Sequence, residues 1–417
     1  MLSPVQPWLE KKTGLGVSLN RHTLEQWQFS RLRDQLAYAR KHSPYYAEQL
    51  AGLDLDAVSG RADLSRLPFM PSQILRAQPQ KLLCMSGSQV ARVTTLNTSG
   101  STGDTKRVYF SQGDLARIVD FFAYGMTTLI EAGQQILILL SDNSPNSLGD
   151  LLQRALKDIN VQSVIHGPIR DAEAAFQAAA NAHCLVGLPA QINRLCLSAP
   201  NLRPLSVLLT ADYVPEIIVR KIKQTWGSDV FTHYGMTETG YGLAVQCAAH
   251  EACHLRDTDF IVEIIDPDSG QNLPDGELGE VVLTSLVNEA MPLIRYRTGD
   301  LAQRIVTPCA CGGCLPRLGK VQGRAANTLL PYPIHALDEA LFCLPDLLDY
   351  CAELLPENGL RLTLDSLIPY SEAKVRQVLR CGGVEPPLLK LRYQTLPVFA
   401  GQAKRTVRAA TDNWNKN

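Results

Sequence analysis

Short apolar runs recur along the middle of the chain, at 136–140, 161–165, 184–187, 207–210 and 230–233. Between them lie longer stretches whose apolar side chains return every three to four positions, as at 148–156 and 215–226. Short buried strands alternating with amphipathic helices predict parallel strands joined by crossover helices, a doubly wound α/β sheet. Upstream, Leu32, Leu36, Tyr38 and Ala39 mark one face of a helix over 24–50 that Pro44 breaks or kinks, and Asp63 to Phe69 reads as a loop.

The pattern changes after residue 258. Alternation at 260–266, a Pro267-Asp268-Ser269-Gly270 turn and a second strand-like run at 280–284 predict a smaller β subdomain, about 247–322. Beyond Gly323-Arg324 the spacing returns to α+β, with helices near 334–343 and 370–380 and strands near 360–364 and 388–395. The expected organisation is a large domain over 1–324, a hinge at Arg324, and a small mobile domain over 325–417.

At 417 residues, 45% apolar and 19% charged, the chain is long enough for a large core. A net charge of −1 gives no field for nucleic acid or a membrane surface. The opening M-L-S-P-V-Q-P-W has no basic region followed by an apolar one, and no aliphatic run is long enough to span a bilayer, so a cytoplasmic protein is expected. Eleven cysteines are many for that compartment. Cys247, Cys253, Cys309, Cys311 and Cys314 fall in two short clusters, a distribution that points to metal.

Three motifs carry chemistry. Leu96 to Ser111 reads L-N-T-S-G-S-T-G-D-T-K-R-V-Y-F-S and surrounds Gly100 and Gly103 with Thr98, Ser99, Ser101 and Thr102 before the cation Lys106. Hydroxyls and bare backbone N–H groups suit a polyphosphate, and glycine lets the backbone come close; the spacing is not that of a Walker A loop. Next come His233-Tyr234-Gly235-Met236-Thr237-Glu238, just past a strand-like run, and Arg295-Tyr296-Arg297-Thr298-Gly299-Asp300. Ligands in such sheets bind at the carboxyl ends of strands.

T-S-G-S-T-G…K, then Y-G-M-T-E, then Y-R-T-G-D, in that order, resembles the adenylate-forming (AMP-binding) superfamily, and within it the phenylacetate–CoA ligase branch. Leu32 to Ala39 with Ser43-Pro44-Tyr45-Tyr46, Leu64 to Phe69, 255–267 and Pro308-Cys309-Ala310-Cys311-Gly312 also match that branch, so the likeness runs from about 25 to 405. It implies the adenylate-forming fold: a large region of doubly wound mixed sheets with a small β subdomain, then a small α+β domain. It further implies that ATP and Mg²⁺ are used to adenylate an aromatic or otherwise apolar carboxylic acid, whose acyl group passes to a thiol such as coenzyme A.

Residue by residue, the resemblance gives Thr98, Ser99, Gly100, Ser101, Thr102 and Gly103 to the phosphates. It places Lys106, Thr237, Glu238 and Lys404 in the catalytic set, with Glu238 as the Mg²⁺ ligand. Ala211, Asp212, Tyr234 and Gly235 go to the nucleotide, with adenine on the Tyr234 face, while Asp300 takes the ribose hydroxyls and Arg324 the hinge. It also implies a structural zinc on Cys247, His254, Cys309 and Cys311, a Cys₃His set; Cys311 with Cys314 is a rival pair, and Cys253 or His250 a substitute.

Three stretches depart from the family pattern. Ala325 to Tyr332 lacks the two acidic residues and the Arg-Gly loop usual after the hinge. Gly401-Gln402-Ala403-Lys404-Arg405 puts Gln402 where the family's reacting-end lysine stands, with Lys404 two residues later. The usual Gly-Glu is Ala211-Asp212. Two alternatives therefore stand beside the ligase: an acyl-adenylate handed to an amine, a hydroxyl or a carrier protein, and a catalytically silent nucleotide-binding homologue. The identity of the acid and the oligomeric state are not encoded in any readable pattern.

Overall fold

The computed structural model describes residues 2–97, 105–140, 144–325, 330–396 and 407–409. They form two compact units: 1–133, 143–162 and 231–321 make the first, and 134–142, 163–230 and 322–417 the second.

The first unit opens with a helix that the hydrophobic pattern did not reveal, Val5–Thr13, which buries Val5, Trp8 and Leu9 and ends at Gly14 in the left-handed region. The expected helix over 24–50 is two, Arg21–His42 and Pro44–Gln49. Asn20 caps the first with a reciprocal Thr23 bond, and the Ser43 hydroxyl accepts the Tyr46 N–H, with Pro44 starting the second helix where its missing donor costs nothing. A hairpin of Arg92–Asn97 and Thr105–Phe110 follows, then helices Gln112–Met126 and Leu148–Asp158.

The rest of this unit is an antiparallel sheet ordered Phe260–Ile265, Leu278–Ser285, Tyr296–Ile305, Arg317–Leu318, Cys253–Leu255, Ala244–Gln246 and Asp229–Tyr234, the last belonging to this unit from Phe231 on. Between Leu278–Ser285 and Tyr296–Ile305 the register passes from Glu280↔Leu301 to Val282↔Arg297. Thr298, Gly299 and Asp300 therefore stand out of the ladder in a bulge, a device that re-aims side chains.

The second unit holds the parallel strands. Ser206–Leu209, Cys184–Gly187, Gln135–Ile138 and Gln162–Ile165 lie in that order, with Pro189–Ser198 and Glu216–Trp226 among the helices. Its C-terminal part is a four-stranded sheet, Leu389–Tyr393, Gly359–Ser366, Leu347–Leu355 and Arg408–Ala409, with helices Ile334–Leu341 and Glu372–Cys381. The unit gathers residues from both sides of Arg324. Ile192, Leu195 and Ile218 share one apolar core with Leu337, Phe342 and Leu347, Arg194 pairs with Asp365 at 2.6 Å, and Glu339 accepts from the Tyr213 hydroxyl at 2.8 Å. The mixed α/β class expected from the sequence is what the chain adopts. Among the described residues no helix is long and apolar enough to cross a membrane.

Candidate active site and metal centre

The strand Asp229–Tyr234 ends at Tyr234, and the chain then makes a tight turn through Glu238 before Leu243 N–H returns to Tyr234 O at 3.0 Å. Two glycines make the turn possible. A Cβ on Gly235 would lie 1.9 Å from Tyr241 O, and Gly240 has φ +66° with Ile118 packed where a side chain would go. Thr237 and Glu238 lie in a single 3₁₀ turn, Thr237–Thr239. Tyr241 hydrogen-bonds Thr94 at 3.2 Å and stacks on Phe110, which ties this turn to the hairpin carrying Lys106.

Glu238 is only 6% exposed, and one of its oxygens is engaged twice. Oε1 accepts from Lys106 Nζ at 2.8 Å and from the Tyr296 hydroxyl at 2.7 Å, while Lys106 Nζ also donates to that hydroxyl at 3.1 Å. Burial opposes the charge on Glu238, but Lys106, Tyr296 and its own backbone N–H outweigh it and hold the carboxyl below its usual range. The chain thus keeps an ionised oxygen ligand in a dry place, the donor type Mg²⁺ takes.

Asp300 has no exposed surface and accepts from the Tyr234 hydroxyl at 2.9 Å. The bulge holding it is fastened from Glu280, whose Oε1 accepts Gly299 N–H at 3.0 Å and whose other oxygen pairs with Arg297; Thr298 Oγ1 donates to Val281 O and accepts Asp300 N–H. Neither Tyr296 nor Glu280 is among the site residues expected from the sequence. Tyr296 lay inside a quoted motif, four positions before Asp300, and Glu280 was visible as a lone acid at the head of an apolar strand.

Ala211 and Asp212 lie in the second unit. Ala211 has φ +67°, a conformation that costs an alanine roughly 1 kcal/mol and a glycine almost nothing. Asp212 Oδ1 accepts the Tyr213 N–H at 2.9 Å. Arg324 is also in the second unit, half-buried at a single β-bridge position. Thr98, Ser99, Gly100, Ser101, Thr102, Gly103 and Lys404 lie outside the described residues, as does Gln402.

The sulfur cluster is a second convergence within the first unit. The ligand atoms of Cys247, His254, Cys309 and Cys311 all lie within 4.8 Å of one another. Cys247 Sγ is 3.6 Å from Cys309 Sγ, and Cys311 Sγ is 3.5 Å from His254 Nε2. A tetrahedral ion with bonds of about 2.3 Å to sulfur sets its ligands roughly 3.7 Å apart, so the set fits zinc. Backbone N–H groups point at the sulfurs, from Ala249 to Cys247 and from Gly313 and Ser3 to Cys311. Burial and nearby Arg317 push His254 down to about 4, which keeps the imidazole neutral as a ligand must be. Of the alternatives, Cys314 is exposed and Cys253 turns to Thr232 O, and neither joins the group; nor does His250. Elsewhere in this unit a cavity of about 340 Å³ is lined by Arg21, Arg61, Glu263, Asp275 and Arg304. Its arginines are already paired with Glu25 and Asp275, and it shares no residue with either cluster.

Residues 91–286 match the AMP-binding enzyme family. A phenylacetate–coenzyme A ligase of Thermus thermophilus is 27% identical over 382 residues, spanning 87% of this chain and 84% of its own. The chain resembles the phenylacetate–coenzyme A ligases over most of its length and AMP-binding enzymes over its central part. A phenylacetate–coenzyme A ligase of Escherichia coli is 25% identical over 74% of this chain and 72% of its own. Among solved structures, 2-hydroxyisobutyryl-CoA ligase in its postadenylation state, with 2-HIB-AMP bound, superposes with a TM-score of 0.77 at 17% identity, over 93% of this chain and 90% of that one. The resemblance and the fold expected from the three motifs are both borne out.

Proposed function

We propose that the protein activates a carboxylic acid with ATP and transfers the acyl group to a thiol such as coenzyme A. The observation that carries this reading is the buried Lys106–Glu238–Tyr296 triangle beside the Tyr234–Asp300 pair, in a homologue of acid–thiol ligases. In the first half-reaction a carboxylate oxygen attacks the α-phosphorus, the bond to the β-phosphate oxygen breaks, and pyrophosphate leaves. In the second a thiolate attacks the acyl carbon and AMP leaves. Orientation and charge are all the protein must supply for the first step.

In this reading Thr98, Ser99, Gly100, Ser101, Thr102 and Gly103 grip the phosphates and Lys106 offsets their charge. Glu238, next to Thr237, holds Mg²⁺, which supplies charge neutralisation when bound. Tyr234 and Gly235, with Ala211 and Asp212, receive the adenosine, and Asp300 the ribose. Lys404 stands in for the family lysine, and residues beyond Arg324 move as a small domain between half-reactions. Cys247, His254, Cys309 and Cys311 hold one structural zinc. The protein works in the cytoplasm on a small aromatic or apolar acid.

The departure over Ala325 to Tyr332 favours a second reading, in which adenylation proceeds but another acceptor replaces coenzyme A, because that stretch lacks the acids and the Arg-Gly loop that the resemblance places beside the thiol-transfer step. One experiment separates them: pyrophosphate release with MgATP over phenylacetate, other aryl acids and fatty acids, with and without coenzyme A. Release accelerated by coenzyme A supports the ligase, release that hydroxylamine but not coenzyme A accelerates supports the other acceptor, and folded protein that releases none sinks both.

A further inference from the structure

The three corners of the Glu238 triangle are not equally fixed. Tyr296 has no exposed surface and opens the strand Tyr296–Ile305, and its two backbone neighbours are bonded to Met70: Met70 N–H to Arg295 O at 3.0 Å and Arg297 N–H to Met70 O at 3.1 Å. Lys106, by contrast, reaches Glu238 on a four-carbon stem from a strand that begins one residue earlier, at Thr105. The two donors share one oxygen. Tyr296 gives its proton to Glu238 Oε1 and takes one from Lys106 through the same hydroxyl, and the Lys106 ammonium lies 5.8 Å from the centre of its ring.

With Lys106 in place the carboxylate is already neutralised. A divalent cation and an ammonium on one carboxylate oxygen repel each other. A metal that accompanies a triphosphate would meet that repulsion at Glu238 as long as Lys106 stays on Oε1, and the phosphate oxygens are the obvious new partner for the ammonium. The phenol is neutral. It can stay bonded to Oε1 throughout, adding no charge to compete with the incoming ion. We propose that Tyr296 is a positioning residue, the fixed donor that holds the Glu238 carboxylate while Lys106 exchanges it for the nucleotide. This inference rests on the adenylation reading above.

The test is titration calorimetry of ATP alone and of MgATP on the wild-type chain, Tyr296→Phe and Lys106→Met, with melting of the ligand-free proteins. Tyr296→Phe keeps the ion pair and should melt close to the wild type. It should bind MgATP about tenfold more weakly, the loss of one hydrogen bond to a charged group, while ATP without metal binds within about twofold of wild type. Lys106→Met should weaken both. A Tyr296→Phe protein that binds MgATP like the wild type, or that loses ATP and MgATP in equal measure, overturns the proposal. If Tyr296→Phe fails to fold, the wild type still decides the matter. The Tyr296 hydroxyl proton, followed on a ring-labelled tyrosine, should remain slowly exchanging when MgATP is added, and rapid exchange overturns the role. Acid-dependent pyrophosphate release is measured alongside. Wild-type protein that binds MgATP but releases none with any acid counts against the functional reading, while the binding arms still judge Tyr296.

Discussion

The carboxylate triangle and the sulfur cluster lie in the same compact unit, and both withdraw groups able to ligate a metal from water, but they balance them in opposite ways. At Glu238 the chain supplies its own cation, Lys106, at 2.8 Å. At the sulfur cluster, among the described residues, the sulfurs receive hydrogen bonds from backbone N–H groups of Ala249, Gly313 and Ser3 and have no ammonium or guanidinium bonded to them. A site that carries its own counter-charge can wait, folded, for a ligand. A site made of three thiols and a neutral imidazole is complete only when an ion fills it. Damage to the first should therefore appear in chemistry, and damage to the second in folding.

The largest effect should come from Glu238→Gln. Loss of the charged ligand should lower acid-dependent pyrophosphate release by about 10³-fold, the scale of removing one pre-organised electrostatic partner. It also leaves Lys106 buried without its carboxylate, a defect worth about 3 kcal/mol in urea unfolding. Glu238→Gln combined with Lys106→Met should recover much of that stability and none of the activity. Wild-type turnover in Glu238→Gln would break the comparison at its first term.

Next in size is the metal. Desalted wild-type protein should carry about one zinc per chain, and Cys309→Ala should carry almost none. Its stability should fall by about 2.7 kcal/mol at a metal concentration 100-fold above the dissociation constant, the amount such binding contributes to the folded state. Cys253→Ala and Cys314→Ala should keep the ion, since neither sulfur joins the four. Metal analysis that finds no zinc in the wild type, or an unchanged content in Cys309→Ala, would remove the cluster from the argument.

The sequence made one of these regions much easier to see than the other. Ordered motifs located Glu238, Asp300 and Lys106, because phosphate and carboxylate chemistry needs particular residue types at short spacings. Cys309 and Cys311 were equally visible as a pair. The resemblance named Cys247 and His254 as their partners but left Cys253, His250 and Cys314 as rivals equally near along the chain; in the fold it is the ligand atoms of Cys247, His254, Cys309 and Cys311 that converge within 4.8 Å. Periodicity found the parallel strands and the helix Arg21–His42 but not Val5–Thr13, which is short and buries a single turn's worth of apolar side chains. Glu280 escaped because its role arises across a β-bulge, and a register shift leaves no local signature; Tyr296 escaped because its partners, Lys106 and Glu238, are distant in sequence.

A smaller and sharper contrast lies in pH. Glu238 is held below the ordinary carboxylate range, so its contribution to stability is full above the unfolded value and is lost only as pH falls through the lower folded value. The stability difference between wild type and Glu238→Gln should then be flat, within about 0.5 kcal/mol, from pH 7 to 5. The difference between metal-loaded and chelated wild type should shrink over that same interval, because protons compete with the ion for thiolate and imidazole. Urea midpoints of these three samples across the interval check both limbs, and parallel curves would mean that the two regions are not distinct in the way described.

The smallest effect probes whether the regions are independent. Gly313 lies against the sulfur cluster, where a Cβ would stand 3.0 Å from His254 Cε1 and 3.3 Å from Cys311 Sγ, and its N–H donates to Cys311 Sγ at 3.4 Å. Alanine at this position must push back the imidazole or the loop, which loosens that N–H bond without removing any ligand. Disturbing such an outer partner typically weakens a metal site by about tenfold. Gly313→Ala should therefore release zinc to a competing chelator at roughly tenfold lower chelator concentration than the wild type. With zinc in excess its adenylation rate should be unchanged, because the Glu238 turn is held by Gly235, Gly240 and Tyr241 and none of these contacts passes through Gly313. If the rate with excess zinc instead falls in step with metal affinity, the cluster acts on the active site, and the division between a region that waits and a region that folds gives way to a single coupled one.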